Sequence, residues 1–266
     1  MANESVWRSG GLAVGVVAGM ILARGASFLS ARPPGRPIPE VHAEYVKFIS
    51  GTDSITAYIA YPERAEPAAA VLVIHEIFGM SDFVRDATQK LAQKGFVALA
   101  PDLLSRRGGT PASPDSARKL IASLNPDTIT QDLDAAATYV KGLKAVDSAR
   151  IGVIGFCWGG GESFRYATNN PSLRAFVVCY GPAPNLADIA RIRAPGYGVY
   201  ADRDGRITQG FYNLLKRLKK DNIQYEWKTY PETGHGFLRT MQSQKPPNAA
   251  DNAWRDIMSF LHERLR

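Results

Sequence analysis

The sequence contains only two cysteines, Cys157 and Cys179, among its 266 residues. So few cysteines provide no disulfide framework, and they do not form the Cys-x-x-Cys motif of dithiol redox proteins. Histidine is also scarce, with four residues. The pair His75-Glu76 resembles a fragment of a zinc-binding helix, but no second histidine follows at the required spacing. We therefore expect neither a metal nor a cofactor.

Clusters of basic residues interleaved with aromatics, the pattern of nucleic-acid-binding proteins, are absent as well. The net charge is +7 and the isoelectric point is about 9.4, but the lysines and arginines are spread along the chain. A basic surface favours acidic small molecules or anionic lipid. We therefore expect a small-molecule partner and no nucleic acid, and the sequence leaves the oligomeric state open.

The N-terminal apolar stretch, residues 10–23, is too short for an ordinary transmembrane helix but suits the core of a signal peptide. A proline-rich segment follows Ala31, which indicates an extended linker. We predict a signal-like or anchor segment plus linker over residues 1–40. This predicts export to the periplasm or another extracytoplasmic space, or a membrane tether, with a cytoplasmic location as the alternative.

Internal repeats and a second linker are also lacking, so residues 41–266 are predicted to form one domain. Short β-rich runs alternate there with longer amphipathic runs, which is typical of a mostly parallel central sheet with helices on both faces, an α/β fold. The predicted strands are residues 45–49, 55–61, 70–75, 96–100, 150–155, 176–179, 198–201 and 225–229. The predicted helices are residues 82–94, 114–123, 127–143, 162–169, 207–220 and 252–264. The first two strands, joined near Gly51, are predicted to form an antiparallel hairpin at one sheet edge.

The most informative segment is the hexapeptide GFCWGG at residues 155–160, which lies between a predicted strand and a predicted helix. This arrangement resembles the nucleophile elbow of α/β-hydrolases, with Cys157 in place of the usual serine. The turn is so tight that side chains two residues either side of the nucleophile would collide, which explains the glycines. The helix N-terminus would favour a thiolate. The alternative is a glycine-rich turn around a buried cysteine.

A thiol nucleophile needs a base and an acid that orients it, and these follow the nucleophile in α/β-hydrolases. His235 lies in a glycine-flanked loop after a predicted strand, whereas His262 lies in an amphipathic helix. His235 is therefore the candidate base. Asp202 and Asp204 both follow another predicted strand and could each accept a hydrogen bond from the imidazole.

The segment His75 to Gly79 follows a buried-looking strand, where α/β-hydrolases place the loop that supplies one oxyanion-hole N–H. The second N–H comes from the residue after the nucleophile. The backbone N–H groups of Ile77 and Trp158 are therefore the candidates. Glu76 lies beside them, and a carboxylate there must either be solvated or have a role.

Together these segments make the chain resemble the dienelactone hydrolase family of α/β-hydrolases. They occur in the family order from about residue 45 to the C-terminus, at residues 75–79, 100–106, 155–160, 200–204 and 234–237. The resemblance implies the α/β-hydrolase fold and a Cys-His-Asp triad that opens enol-lactones. It implies Cys157 as nucleophile, His235 as base and Asp204, rather than Asp202, as the acid.

The resemblance also implies roles for Glu76 and two arginines. In the family, the glutamate at the position of Glu76 pairs with the resting thiol and takes up its proton when substrate arrives. Arg106 and Arg239 stand where the family places arginines that hold the substrate carboxylate, a group that matches the planar guanidinium.

We therefore expect a hydrolase that cleaves a lactone or carboxylic ester, possibly one that bears a carboxylate, through a thioester intermediate. One alternative is a general carboxylesterase or thioesterase of the same fold. An alternative from another class is a thiol redox or binding protein, in which Cys157 would be a low-pKa sensor.

Overall fold

The structure, a computed structural model, describes residues 40–241 and 247–266. The predicted signal-like or anchor segment with its linker, residues 1–40, lies outside the described residues except for Glu40, and it stays a prediction. Among the helices of the described part, none is both long and apolar enough to cross a membrane.

One eight-stranded sheet organises the described chain, and each predicted strand corresponds to one of its members. The strands are β1 (Val41–Ser50), β2 (Asp53–Pro62), β3 (Ala68–Ile74), β4 (Val97–Pro101), β5 (Val146–Phe156), β6 (Ala175–Cys179), β7 (Gly196–Ala201) and β8 (Tyr225–Tyr230). Their order in the sheet is β1-β2-β4-β3-β5-β6-β7-β8. The predicted β1–β2 hairpin forms the antiparallel edge, and β2 also pairs antiparallel with β4. The remaining six strands, β3 to β8, are parallel to one another.

The helices lie on both faces of this sheet. They are α1 (Asp82–Gln93), α2 (Pro114–Ala122), α3 (Pro126–Lys141), α4 (Trp158–Asn169), α5 (Gly205–Thr208), α6 (Phe211–Lys220) and α7 (Ala249–Arg264). The alternation of side chains along β3 shows the two layers. Val71 and Val73 pack in one cluster with α1 and α7, whereas Leu72 and Ile74 pack in the other with α3, α4 and α6. The α/β class, with a mostly parallel sheet covered on both faces, is confirmed.

Two helix predictions need correction. The single helix predicted over residues 207–220 is two helices, α5 and α6, which are separated at Gly210, the residue that precedes α6. The helix predicted to start at Glu162 starts at Trp158 instead. Glycines 159 to 161 have low helix propensity, but tertiary packing overrides it. This packing is close enough to require glycine, because a Cβ on Gly160 would lie only 2.5 Å from the Cys179 carbonyl oxygen. The first turn of α4 therefore packs directly against the strand ends.

Candidate active site

Cys157 occupies the sharp turn between β5 and α4, with φ +57° and ψ −118°. Residues other than glycine rarely adopt a backbone conformation with positive φ, so the backbone at Cys157 is strained. The glycines on either side have a steric reason. A Cβ on Gly155 would lie 1.8 Å from the Gly159 carbonyl oxygen, and one on Gly159 would lie 2.3 Å from the His75 carbonyl oxygen. The thiol is partly exposed at the carboxyl ends of the strands, while Cys179 is fully buried.

His235 joins the thiol to an aspartate. Its Nε2 lies 3.0 Å from Cys157 Sγ, and its Nδ1 is hydrogen-bonded to Asp204 Oδ2. The loop after β8 turns at Gly236, with φ +79°, just after the imidazole. These three residues, which are far apart in sequence, therefore form one continuous hydrogen-bonded chain.

The choice between the two aspartates has a clear geometric basis. Asp204 is buried and contacts His235. The Asp202 carboxylate instead accepts hydrogen bonds from the backbone N–H groups of Glu232 at 2.7 Å and Thr233 at 2.9 Å. Asp202 thus fixes the turn that precedes His235, while Asp204 contacts the ring itself.

These contacts raise the pKa of His235 from 6.5 to about 9. The hydrogen bond to Cys157 is the largest cause, partial burial opposes it, and the hydrogen bond to Asp204 adds to the rise. The raised pKa favours the doubly protonated ring, in which Nδ1–H donates to Asp204 and Nε2–H donates to the cysteine sulfur.

Glu76 is a buried carboxylate that pairs with Arg239, a residue of the same loop region as His235. The Glu76 side chain is 1% exposed, and its Oε2 accepts a 2.8 Å hydrogen bond from Arg239 Nε. Burial alone would lower the pKa of Arg239, but the contact with Glu76 produces a net rise. The structure thus pairs the thiol with His235 and Glu76 with Arg239, which differs from the thiol–Glu76 pairing implied by the family resemblance.

Tyr180 is a further residue of the site that sequence reasoning missed. It follows β6 with φ +41°, and its ring packs edge-on against His235 with the centroids 5.2 Å apart. Its hydroxyl is buried and has no hydrogen-bond partner among the described residues, and the same is true of Glu76 Oε1. Burial and the Glu76 charge raise the pKa of Tyr180. The one signal in the sequence that could have identified Tyr180 is its position directly after β6, a parallel strand next to β5.

The thiol opens into a cavity of about 420 Å³. Its lining includes Ile77, Phe78, Cys157, Trp158, Tyr180, Pro182, Arg206, Ile207, His235 and Arg239. The backbone N–H groups of Ile77 and Trp158 do not donate to any acceptor in the described part of the chain. The structure thus brings both candidate oxyanion donors to the cavity that contains the thiol.

Arg106 requires a correction. Its guanidinium is bonded to Asp132, with Nη2 2.8 Å from Oδ1, and also to Asp53 and to the Ser50 carbonyl oxygen. The hydrogen bond to Asp132 raises the pKa of Arg106. Arg106 does not line the cavity, and its hydrogen-bonding groups are already engaged, so the structure gives it a role in joining β1–β2 to α3 rather than in binding a substrate carboxylate.

His75 also has a structural role. Its Nδ1 lies 2.8 Å from the Glu76 carbonyl oxygen, and its Nε2 accepts from the backbone N–H of Leu103 at 3.2 Å. Burial lowers its pKa. The neutral ring stacks on Trp158 with the centroids 5.5 Å apart. His75 therefore supports the loop that bears Ile77 and is not free to act as a ligand.

Comparison with known proteins agrees with this architecture. The sequence profile of the dienelactone hydrolase family matches residues 55–265. A protein of Methylorubrum extorquens, provisionally named carboxymethylenebutenolidase, is 31% identical over 79% of this chain and 77% of its own length. A protein of Escherichia coli with the same provisional name is 29% identical over 91% of this chain and 94% of its own length.

A solved structure from Klebsiella pneumoniae, provisionally described as a dienelactone hydrolase, has a similar fold. The TM-score is 0.76 and the sequence identity is 28%, with 84% of this chain and 99% of that chain covered. The family profile covers most of the sequence and includes every residue of the site described above. The chain belongs to the dienelactone hydrolase family, a family of hydrolases.

Proposed function

We propose that this hydrolase cleaves carboxylic esters or lactones through a covalent thioester on Cys157. The observation that carries the proposal is the hydrogen-bonded chain from Asp204 through His235 to the Cys157 sulfur, with Nε2 at 3.0 Å from Sγ. A nucleophile, a base and a group that orients the base form the arrangement required for covalent acyl transfer.

In the acylation step, the Cys157 sulfur attacks the carbonyl carbon of the substrate and forms a C–S bond. The oxygen of the tetrahedral intermediate becomes negative, and the N–H groups of Ile77 and Trp158 stabilise it. The carbonyl then re-forms as the C–O bond to the leaving group breaks. His235 donates its Nε2 proton to that oxygen, so an ester releases an alcohol, whereas a lactone opens and remains attached as a hydroxyacyl thioester.

In the second step, water replaces the sulfur. Neutral His235 accepts a proton from water at Nε2, and the resulting hydroxide attacks the thioester carbon. The C–S bond breaks, the carboxylic acid leaves, and the thiolate is again paired with the imidazolium. Asp204 stays ionised and holds Nδ1–H, so that Nε2 faces the reacting atoms throughout.

Glu76 and Arg239 form an ion pair whose state sets the charge next to the cavity. Arg239 neutralises Glu76 and also lines the cavity, where its remaining N–H groups can bind a substrate carboxylate. An anionic substrate that draws Arg239 away would leave Glu76 as a buried carboxylate without its ion-pair partner, free to accept a proton. The position of Arg239 in the lining of the cavity supports a preference for esters or lactones that bear a carboxylate.

The test compares Cys157→Ala with Cys179→Ala, using para-nitrophenyl acetate and an enol-lactone as substrates. Loss of Cys157 should reduce kcat by about 10³-fold or more, because no other group can form the covalent intermediate. Loss of the buried Cys179 should leave kcat within a few-fold, with folding checked by circular dichroism. Retained turnover in Cys157→Ala would exclude the proposal, and turnover of aryl esters without any lactone would favour the general carboxylesterase.

A further inference from the structure

A second cavity of about 160 Å³ adjoins the cavity of the thiol. Three residues line both of them, namely Pro182 in the loop after β6, and Arg206 and Ile207 in α5. The two cavities therefore meet along a short border formed by this loop and α5.

The wall of the second cavity is mostly apolar. Ile207, Phe211 and Leu214 contribute side chains of α5 and α6, and the loop after β6 contributes Pro182. Tyr200 also lines it, but the Tyr200 hydroxyl is hydrogen-bonded to Tyr225 at 2.7 Å and so has a partner already. Such a surface favours a hydrocarbon segment over a polar one.

The charge at the border is positive. No aspartate or glutamate is among the residues that line either cavity, whereas Arg206 lines both and Arg239 lines the larger one. Arg239 already pairs with Glu76. Arg206 is exposed, and its guanidinium has no ion pair or hydrogen bond within residues 40–241 and 247–266. All of its donors are therefore free for an anion.

We propose that the second cavity binds the acyl arm of the substrate and that Arg206 binds a carboxylate on that arm. The inference rests on the proposed acyl transfer at Cys157, since it concerns the group that Cys157 attacks. The substrate class is an ester or lactone whose acyl part combines a short hydrocarbon segment with a carboxylate. Arg206 takes the recognition role that the sequence suggested for Arg106.

The experiment measures kcat/KM for three para-nitrophenyl esters: the acetate, the hexanoate and the mono-ester of adipic acid. Wild-type enzyme should prefer hexanoate to acetate, because hexanoate extends into the second cavity, and should prefer the adipate to hexanoate by about tenfold. Arg206→Gln should lower the adipate-to-hexanoate ratio several-fold, because Arg239 is then the only arginine of the cavity lining that can bind the carboxylate, and Arg206→Glu should lower the ratio further.

Arg203→Gln is the control for the change of charge, and Ala190→Phe is the control for added bulk in a test of the cavity with Gly210→Phe. Arg203→Gln removes the same charge from an exposed residue of the turn that precedes α5, and Arg203 lines neither cavity, so the ratio should keep its wild-type value. Gly210→Phe adds bulk at the second cavity, at a position where a Cβ meets nothing within 4 Å, and should lower the hexanoate-to-acetate ratio. Ala190→Phe, on an exposed surface away from both cavities, should not.

The outcomes also separate this inference from the proposed function. An adipate-to-hexanoate ratio near one in wild-type enzyme, or equal effects of Arg206→Gln and Arg203→Gln, would overturn the role of Arg206 while ester hydrolysis stands. A hexanoate-to-acetate ratio that Gly210→Phe leaves unchanged would overturn the role of the cavity. If wild-type enzyme hydrolyses none of the esters, the proposed acyl transfer fails and this inference fails with it.

Discussion

Arg239 donates a hydrogen bond from Nε to Glu76 Oε2 at 2.8 Å, and the carboxylate that it neutralises is 1% exposed. The same guanidinium lies 5.2 Å from the centre of the Phe78 ring. Arg118 also lies over Phe78, at 5.0 Å, but it pairs with the exposed Asp115. The two arginines thus share an aromatic neighbour and differ in the burial of their acidic partner.

Arg239→Ala should lower the free energy of unfolding by about 3 kcal/mol, because it leaves the buried Glu76 carboxylate without a compensating charge. Arg118→Ala should lower it by less than about 1 kcal/mol, because its ion pair is exposed. Urea unfolding of both variants measures the difference. Glu76→Gln in the Arg239→Ala background should recover part of the loss, and a double variant as unstable as the single one would contradict this explanation.

The backbone strain at Cys157 predicts an unusual preference for glycine. Cys157→Gly and Cys157→Ala are both expected to be inactive, but the glycine variant should be more stable than the alanine variant by about 1 kcal/mol. The reason is the φ of +57°, which glycine adopts without a Cβ clash. Ala135→Gly within α3 supplies the control, since glycine there should destabilise by about 1 kcal/mol. Equal or reversed stability at position 157 would show that the turn is unstrained.

The raised pKa of His235 predicts a loss of stability in mildly alkaline solution. The pKa is about 9 in the folded protein and 6.5 for the ordinary side chain, so the folded state binds more protons than the unfolded state between these values. The stabilisation from His235 is therefore complete below about pH 6.5 and is lost as the pH rises through 9. Thermal unfolding across this range measures it.

Cys157→Ala provides the control for this pH dependence. The cysteine is the largest cause of the raised pKa, so the alanine variant should titrate His235 at lower pH and lose the stabilisation earlier. NMR titration of the His235 ring gives the pKa directly in both proteins. A pKa of about 9 that persists in the alanine variant would show that Asp204 alone is responsible.

Arg106→Ala should affect stability rather than substrate selection. It would leave Asp132, which is 2% exposed, without its ion-pair partner, so the free energy of unfolding should fall by about 3 kcal/mol. The ratio of KM values for carboxylate-bearing and neutral esters should not change. A selective rise in KM for the carboxylate esters would restore the substrate-binding role that the sequence suggested.

The sequence predicted the layered fold and the parts of the site that depend on local pattern. The β1–β2 hairpin, the parallel strands and the elbow at Cys157 follow from periodicity and glycine spacing, which are local properties. The order of nucleophile, aspartate and histidine then pointed to His235 and left Asp202 and Asp204 as alternatives, and the family resemblance selected Asp204.

Contacts between distant segments could not be predicted in this way. The pairing of Arg106 with Asp132 joins a loop to the buried side of α3, and a single sequence contains no local signal for it. The early start of α4 depends on backbone packing against β3 and β6, which overrides the low helix propensity of glycine. The buried hydroxyl of Tyr180 and the border position of Arg206 likewise depend on tertiary structure.

The central claim, a thioester on Cys157, is tested most directly by rapid acid quenching during turnover of an activated ester, followed by mass spectrometry. The proposed mechanism predicts that the protein gains the mass of one acyl group and that peptide mapping places this group on Cys157, with Cys179 unmodified. The Cys157→Ala variant should show no such adduct. An acyl group on another residue, or turnover that persists without Cys157, would contradict the mechanism.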